Sequence, residues 1–103
     1  MITNYISKQI WEDRYRKNNE SLSENISRVA NYISLSKDDY SDFHEIMSKG
    51  WFLPAGRTMS NSGIGENLTL NNCFTLNLVP DSMEGIFECV KYGALTQKAG
   101  GKC

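Results

Sequence analysis

The residues of this chain best suited to chemistry lie between Asn71 and Gly101: a thiol, Cys73, in a short apolar run, and a Gly100-Gly101 pair after an amphipathic segment. A cysteine on an extended element, followed by a helix and a glycine turn, is an arrangement that holds a thiol beside a ligand. Rigid elements keep reacting atoms at contact distance better than loops do. Glycine lets a ligand approach the backbone with no side chain in the way. Taken alone, Cys73 also suits a small buried hydrophobe, since free cysteine is among the most buried residue types. Cys89 and Cys103 complete an odd set of three with no CxxC pair, which makes neither a disulfide framework nor a zinc site. Cys89 flanks an apolar stripe and reads as structural. His44 stands alone next to an apolar helical face and reads the same way. Arg14, Arg16 and Lys17 read as a solvated basic face.

The elements that must position these residues follow from periodicity and capping signals. Ile6, Ile10 and Trp11 suit one face of a short first helix. Ser21 with Glu24 forms a capping box, and Ile26, Val29, Ala30 and Ile33 follow at helical spacing as a buried stripe. Ser36 opens a further helix with an acidic first turn, Tyr40, Phe43, Ile46 and Met47 form its apolar face, and Gly50 is its stop. Between Trp51 and Glu66 periodicity breaks. Pro54, Gly56, Gly63 and Gly65 predict a structured loop there, with Arg57 inside it. A loop of that kind is either functional or a connection. Leu68 to Val79 reads as a strand with Cys73, Thr75, Asn77 and Val79 on one face and Phe74, Leu76 and Leu78 on the other. Pro80 ends it. An Asp81–Glu84 capping box then starts a helix expected to bury Met83, Ile86, Phe87, Val90, Ala94 and Leu95.

At 103 residues, with 40% apolar and 22% charged residues, the composition is that of one small globular unit. A net charge of -1 and the lack of a basic block exclude an electrostatic grip on nucleic acid. No apolar run is long enough to span a bilayer and no leader opens the chain, so the expected setting is cytoplasmic, without membrane or nucleic-acid partners.

Four landmarks in order resemble ribonucleotide reductase: Trp51 to Gly63 (Trp-Phe-Leu-Pro-Ala-Gly-Arg-Thr-Met-Ser-Asn-Ser-Gly), Leu70 to Phe74 (Leu-Asn-Asn-Cys-Phe), Asp81 to Glu88 (Asp-Ser-Met-Glu-Gly-Ile-Phe-Glu) and Gln97 to Gly101 (Gln-Lys-Ala-Gly-Gly). The likeness is closest to the adenosylcobalamin-dependent branch, whose loop has a Pro-x-Gly-Arg run like Pro54 to Arg57. Trp11, Arg14 and Tyr15, with the helix through Arg28–Ala30, also resemble the helical start of that branch. The di-iron-dependent large chain shares the cysteine and Asp-Ser landmarks. The resemblance covers essentially the whole chain, and only the first part of the family's catalytic chain.

The resemblance implies an α/β fold: a helical N-terminal region over residues 1–50, then the first strand and helix of a ten-stranded α/β barrel over residues 51–103, truncated. It implies reduction of ribonucleotides to deoxyribonucleotides by thiyl-radical chemistry. Cys73 would supply one cysteine of the reducing dithiol, and Asn72, Cys73 and Gly100 would contact substrate. The thiyl-bearing cysteine and the second dithiol cysteine lie downstream in the family, so this segment alone is expected to be inactive. The implied cofactor is adenosylcobalamin, held by the complete enzyme and not by this segment. The implied partners are the remainder of the catalytic chain, the ribonucleotide, and an external dithiol such as thioredoxin. Cys103 also suits an insertion junction, since cysteine commonly begins an intein; a truncated or split reading frame is the plainer expectation. Two rivals stand beside this reading: a stand-alone helical binding module or non-functional fragment, and the equivalent piece of a di-iron-dependent large chain.

Overall fold

Side-chain caps decide where four of the helices begin, because the first N–H groups of a helix have no partner inside it. In the computed structural model, which describes residues 4–65 and 67–103, α1 (Tyr5–Arg14) starts at Asn4, whose Oδ1 accepts from the Ser7 N–H at 2.8 Å. Ser21 Oγ accepts from Glu24 N–H at 3.2 Å to open α2 (Leu22–Ile33). Ser36 Oγ accepts from Asp39 N–H at 3.1 Å to open α3 (Lys37–Ser48). A short α4 (Gly56–Asn61) follows. Last, Ser82 Oγ accepts from Gly85 N–H at 3.0 Å to open α5 (Met83–Lys98), one residue later than the expected box at Asp81.

The core gathers around α2. Ile26, Val29 and Ala30 bury against Met47 of α3 and Met59 of α4, with Tyr15, Leu22, Ile33, Tyr40, Phe43 and Ile46 packed at the edge. Each large apolar side chain so covered contributes about 2 kcal/mol. On α1 only Trp11 is buried, while Ile6 and Ile10 stay exposed, so the expected apolar face of that helix is reduced to one anchor.

Gly50 stops α3 as a left-handed residue with φ +70°. The Trp51 N–H reaches Ile46 O at 3.0 Å and the Gly50 N–H reaches Met47 O at 3.1 Å, the two bonds of a Schellman stop. Gly50→Ala is therefore expected to lose about 1 kcal/mol, the cost of placing a Cβ at positive φ, read as a lowered urea midpoint with an unchanged slope.

Two expectations about the second half are corrected. The first is the α/β fold: the described residues form five helices and no strand, so no first strand of a barrel is present. The segment around Cys73 is extended but makes only an isolated parallel bridge, Cys73 to Lys102. A strand is defined by its ladder, and extended backbone with one bridging residue leaves the N–H and C=O groups of Thr75 to Val79 without a neighbour to form one. The expected side-chain alternation survives from Cys73 to Asn77, with Phe74 and Leu76 half-buried, and ends at Leu78, which is 96% exposed.

The second concerns α5, whose apolar stripe was expected to be buried. Met83, Ile86, Phe87, Val90, Ala94 and Leu95 are all exposed, and Gly85 is the buried residue of this helix. The extended segment lies instead against the helix's small residues. A Cβ on Gly85 would stand 2.8 Å from the Pro80 ring, and one on Gly93 would stand 3.8 Å from Leu76 Cδ1. The backbone needs close approach, and only the small-residue face permits it. With α5 packed so lightly, the radius of gyration is 17.1 Å, against about 13 Å for a compact chain of this length.

The third difference is an addition. Where the sequence predicts an irregular loop, Gly56–Asn61 is helical and carries Met59 into the core. Six residues are too few for apolar periodicity to announce a helix. Glu66, at the end of that expected loop, lies outside the described residues.

Candidate functional site

Four separated pieces of chain converge on Cys73. The segment from Thr69 to Phe74 is fastened on one side to α4: Asn61 Nδ2 donates to Thr69 O at 2.8 Å, Thr58 Oγ1 to Leu70 O at 3.4 Å, and the Arg57 N–H to Asn72 Oδ1 at 3.3 Å. On the other side it is fastened to the residues after α5. The Thr69 N–H donates to Ala99 O at 2.9 Å, the Lys102 N–H to Asn72 O at 2.8 Å, and the Phe74 N–H to Lys102 O at 2.7 Å. The last two bonds bracket Cys73 and fix its backbone.

The result is a cleft of about 500 Å³ lined by Arg14, Tyr15, Gly56, Arg57, Ser60, Asn72, Cys73 and Lys102. Asn72 and Cys73 are both exposed there. The exposure excludes the reading of Cys73 as a buried hydrophobe. Three cations line the cleft and no carboxylate does, and among the described residues none of Arg14, Arg57 and Lys102 is in an ion pair.

Gly100 does not line the cleft. It is the left-handed stop of α5, φ +93°, with the Gly101 N–H on Thr96 O and the Gly100 N–H on Gln97 O, each at 3.0 Å. A Cβ at Gly100 would lie 3.4 Å from Asn61 Nδ2 and 3.8 Å from Arg57 Nη1. The geometry thus gives this glycine a turn to make and places it behind the Arg57 guanidinium.

The two lips of the cleft, Tyr15 and α4, are tied together from behind by an ion pair between buried Glu20 and half-buried Arg28. Arg28 donates through Nη2 to Glu20 Oε1 at 2.9 Å and through Nε to Glu20 Oε2 at 3.1 Å. The same guanidinium donates to Met59 O at 3.1 Å, to Tyr15 O at 3.3 Å and to Ser62 O. Asn25 Nδ2 adds bonds to Glu20 Oε1 at 2.8 Å and Tyr15 O at 3.0 Å. Burial alone pushes the Glu20 carboxyl up, but bonds from Arg28, Asn25 and the Lys17 N–H, with the Arg28 charge, outweigh it and hold the group below its ordinary value. Asn18 and Asn19 turn the chain toward Glu20 at positive φ, a conformation asparagine tolerates.

Of the residues predicted from sequence, Asn72 and Cys73 come together and Gly100 stands one layer back. Arg57 was noted as a loop residue and as part of the Pro54 to Arg57 run, and Arg14 as part of a solvated face and of the helical start that resembles the family; neither was named as a site residue. Tyr15 and Ser60 stood only within stretches that resemble the family, and Lys102 carried no signal, because the three join the cleft from distant parts of the chain and only folding brings them near. Cys89 is half-buried in a separate cleft between α5 and Thr75–Pro80, and Cys103 is exposed with its Sγ 3.7 Å from the Cβ position of Gly93. All three cysteines are free thiols. Among the described residues no cluster of three His, Cys, Asp or Glu side chains is placed to hold a metal ion, and no helix is long and apolar enough to cross a membrane.

Comparison with known proteins adds a family. Residues 2–67 match the family model described as "Ribonucleotide reductase, all-alpha domain". The chain is similar to the ribonucleoside-diphosphate reductase large subunit of Arabidopsis thaliana, 34% identical over 79 residues, covering 74% of this chain and 9% of the relative. It is similar to that of vaccinia virus (strain Copenhagen), 34% identical over 64 residues, covering 62% of this chain and 8% of the relative. With that of Plasmodium falciparum (isolate FCR-3 / Gambia) it is 40% identical over 58 residues, 56% of this chain and 7% of the relative. The match thus spans under a tenth of the length of these curated relatives. The family match ends before Asn72 and Cys73. No solved structure matches.

Proposed function

We propose, since the chain belongs to the ribonucleotide reductase all-alpha domain family, that it is the N-terminal part of a reductase catalytic chain in which Cys73 is one thiol of the reducing dithiol. The observation that carries this is the position of Cys73: exposed, clamped by backbone bonds on both sides, and opening on a polar cleft beside Asn72. A thiol that must exchange with a second thiol, and then with an external dithiol such as thioredoxin, has to be reachable, and this one is.

The chemistry balances as follows. A thiyl radical elsewhere in the complete enzyme takes the 3′-hydrogen of the ribonucleotide and later returns it. The 2′-hydroxyl leaves as water. Cys73 and its partner thiol give up two protons and two electrons, and one S–S bond forms. Clamping Cys73 holds its sulfur at contact distance from the sugar, which replaces a chance encounter by a positioned one. The partner thiol and the radical site belong to the remainder of the enzyme, so this segment by itself is inactive in this reading.

Two forms of the enzyme suit the segment. The Pro54 to Arg57 run supports the adenosylcobalamin-dependent branch. The relatives' names, large subunits of ribonucleoside-diphosphate reductases, support the equivalent piece of a di-iron-dependent enzyme. In the first form a cobalamin would be held by the remainder of the enzyme, and no residue of the cleft is assigned to it. No step of the chemistry is assigned to that cofactor here.

The test is co-expression of this chain with the downstream remainder of a matching reductase, assayed for ribonucleotide reduction. Turnover requiring both pieces and abolished by Cys73→Ser is the expected result. Turnover that survives Cys73→Ser, with a thioredoxin-type reductant as the only electron source, would sink the dithiol role and leave the binding-module reading. Dependence on added adenosylcobalamin separates the two forms.

A further inference from the structure

We infer that Cys89 and Cys103 form a second thiol pair, a site of reversible oxidation that closes into a disulfide across the face of α5 and locks the turn beside Cys73. The pair is separate from the dithiol proposed for Cys73 and needs none of the reductase chemistry.

The chain that leaves α5 runs back along it. A Cβ at Gly101 would lie 3.1 Å from Thr96 Cγ2, and one at Gly93 would lie 3.7 Å from Cys103 Sγ. Going from Gly101 to Cys103 thus moves the contact from Thr96 to Gly93, toward the start of the helix. The next residue on that face in the same direction is Cys89, one turn before Gly93. Gly93 has no side chain, and the Cys103 sulfur lies at the gap this leaves. One turn separates Cβ positions by about 5–6 Å. A movement of Cys103 by a few ångströms toward the start of α5 therefore brings the pair to bonding geometry. Cys103 is exposed, and Cys89 is half-buried beside a cleft of about 360 Å³ that leaves room for the movement.

Cys73 is not the partner. It bridges Lys102, and bridged residues put their side chains on one side of an extended pair while their neighbours point to the other. Cys73 and Lys102 line the polar cleft, whereas Phe74, Gly101 and Cys103 face α5.

Exchange with a small disulfide such as oxidised glutathione balances. The exposed Cys103 thiolate attacks one sulfur of the reagent, forming a mixed disulfide and releasing one small thiol. The Cys89 thiolate then attacks the Cys103 sulfur, forming the protein S–S bond and releasing the second. Two protein thiols are oxidised, the small disulfide is reduced, and the two protons lost by the protein end on the released thiols. The new bond closes the loop that carries Lys102. The Lys102 N–H bonds Asn72 O at 2.8 Å and its C=O accepts from the Phe74 N–H at 2.7 Å, the two bonds that bracket Cys73. A closed loop has fewer open conformations to visit, so oxidation holds that bridge shut.

The experiment equilibrates the chain with reduced and oxidised glutathione, traps free thiols with iodoacetamide and maps the disulfides by mass spectrometry. The expected product is a monomer in which Cys89 is joined to Cys103 and neither is joined to Cys73. Cys89→Ala and Cys103→Ser each lose the bond, and Cys103→Ser, at an exposed position, guards against a folding defect in the other. Amide hydrogen exchange at Lys102 and Phe74 slows by about tenfold or more in the cross-linked chain. Cys103→Ser, oxidised in the same way, shows no such slowing. A lasting mixed disulfide on Cys103, a Cys73–Cys103 bond or a cross-link between two chains, found in place of the expected bond, overturns the pair. So does a chain whose Cys89 and Cys103 both stay reduced. A Cys89–Cys103 bond that leaves exchange at Lys102 and Phe74 unchanged overturns the lock.

Discussion

Arg28→Ala is expected to cost about 3–5 kcal/mol of folding stability, a large share of what a small domain possesses. The side chains of Arg28 and Glu20 are 15% and 10% exposed, so removing the guanidinium leaves a carboxylate buried with no counter-charge. It also strips donors from the carbonyls of Tyr15, Met59 and Ser62. Urea unfolding followed by fluorescence of the buried Trp11 measures the loss. Replacing both partners, Arg28→Met with Glu20→Leu, should recover only the part owed to the orphaned charge, because methionine gives no donor to the three carbonyls and leucine no acceptor to Asn25 and the Lys17 N–H. A loss under 1 kcal/mol in the single variant would show that water reaches the pair.

The same pair sets an acid limit. Glu20 is held below its ordinary value of 4.5, so the unfolded chain takes up a proton there before the folded chain does. Its contribution is therefore fully present above the ordinary glutamate range and fades as pH falls through the lower folded value. Wild type should lose stability in that acid window more steeply than Glu20→Gln, which has no proton to take up at this position.

Gly101→Ala is expected to damage the site most among the glycine variants. A Cβ there would fall against the Phe74 ring, with Cδ2 at 2.7 Å, and within 3.1 Å of Thr96 Cγ2. Gly101 is buried, so the ring has to move, and Phe74 is the residue whose N–H closes the bridge beside Cys73. Overpacking of this kind costs typically 1–3 kcal/mol. The larger effect is on the position of the thiol, where a displacement near 1 Å costs about a hundredfold in rate. Gly93→Ala is the control. Its Cβ meets Cys103 Sγ at 3.7 Å and Leu76 Cδ1 at 3.8 Å, ordinary contacts, and alanine favours a helix interior by roughly 0.8–1 kcal/mol over glycine. Thermal unfolding should thus place Gly93→Ala at or above wild type and Gly101→Ala below it, with turnover of the reassembled enzyme lost only in Gly101→Ala. Equal behaviour of the two would mean that Phe74 does not hold Cys73.

Local chemistry explains which parts of this chain were legible in its residues. Helix starts at Ser21 and Ser36, the stop at Gly50, and the buried stripe Ile26, Val29 and Ala30 depend on side chains within four positions of each other, so adjacency in sequence is enough to read them. Cys73 stood out for a similar reason, as a thiol in an apolar extended run, whereas Asn72 was singled out only by the family resemblance. What adjacency cannot give is a partner. Whether Leu68 to Val79 becomes a strand depends on a neighbouring ladder, and the fold supplies one bridge, at Lys102. Whether the apolar stripe of α5 is buried depends on what packs there, and the extended segment takes the small-residue face. The cationic cleft lies at the same limit: Arg14, Arg57 and Lys102 are distant charges in the sequence, and they share one cleft only because α1, α4 and the turn after α5 meet around one thiol.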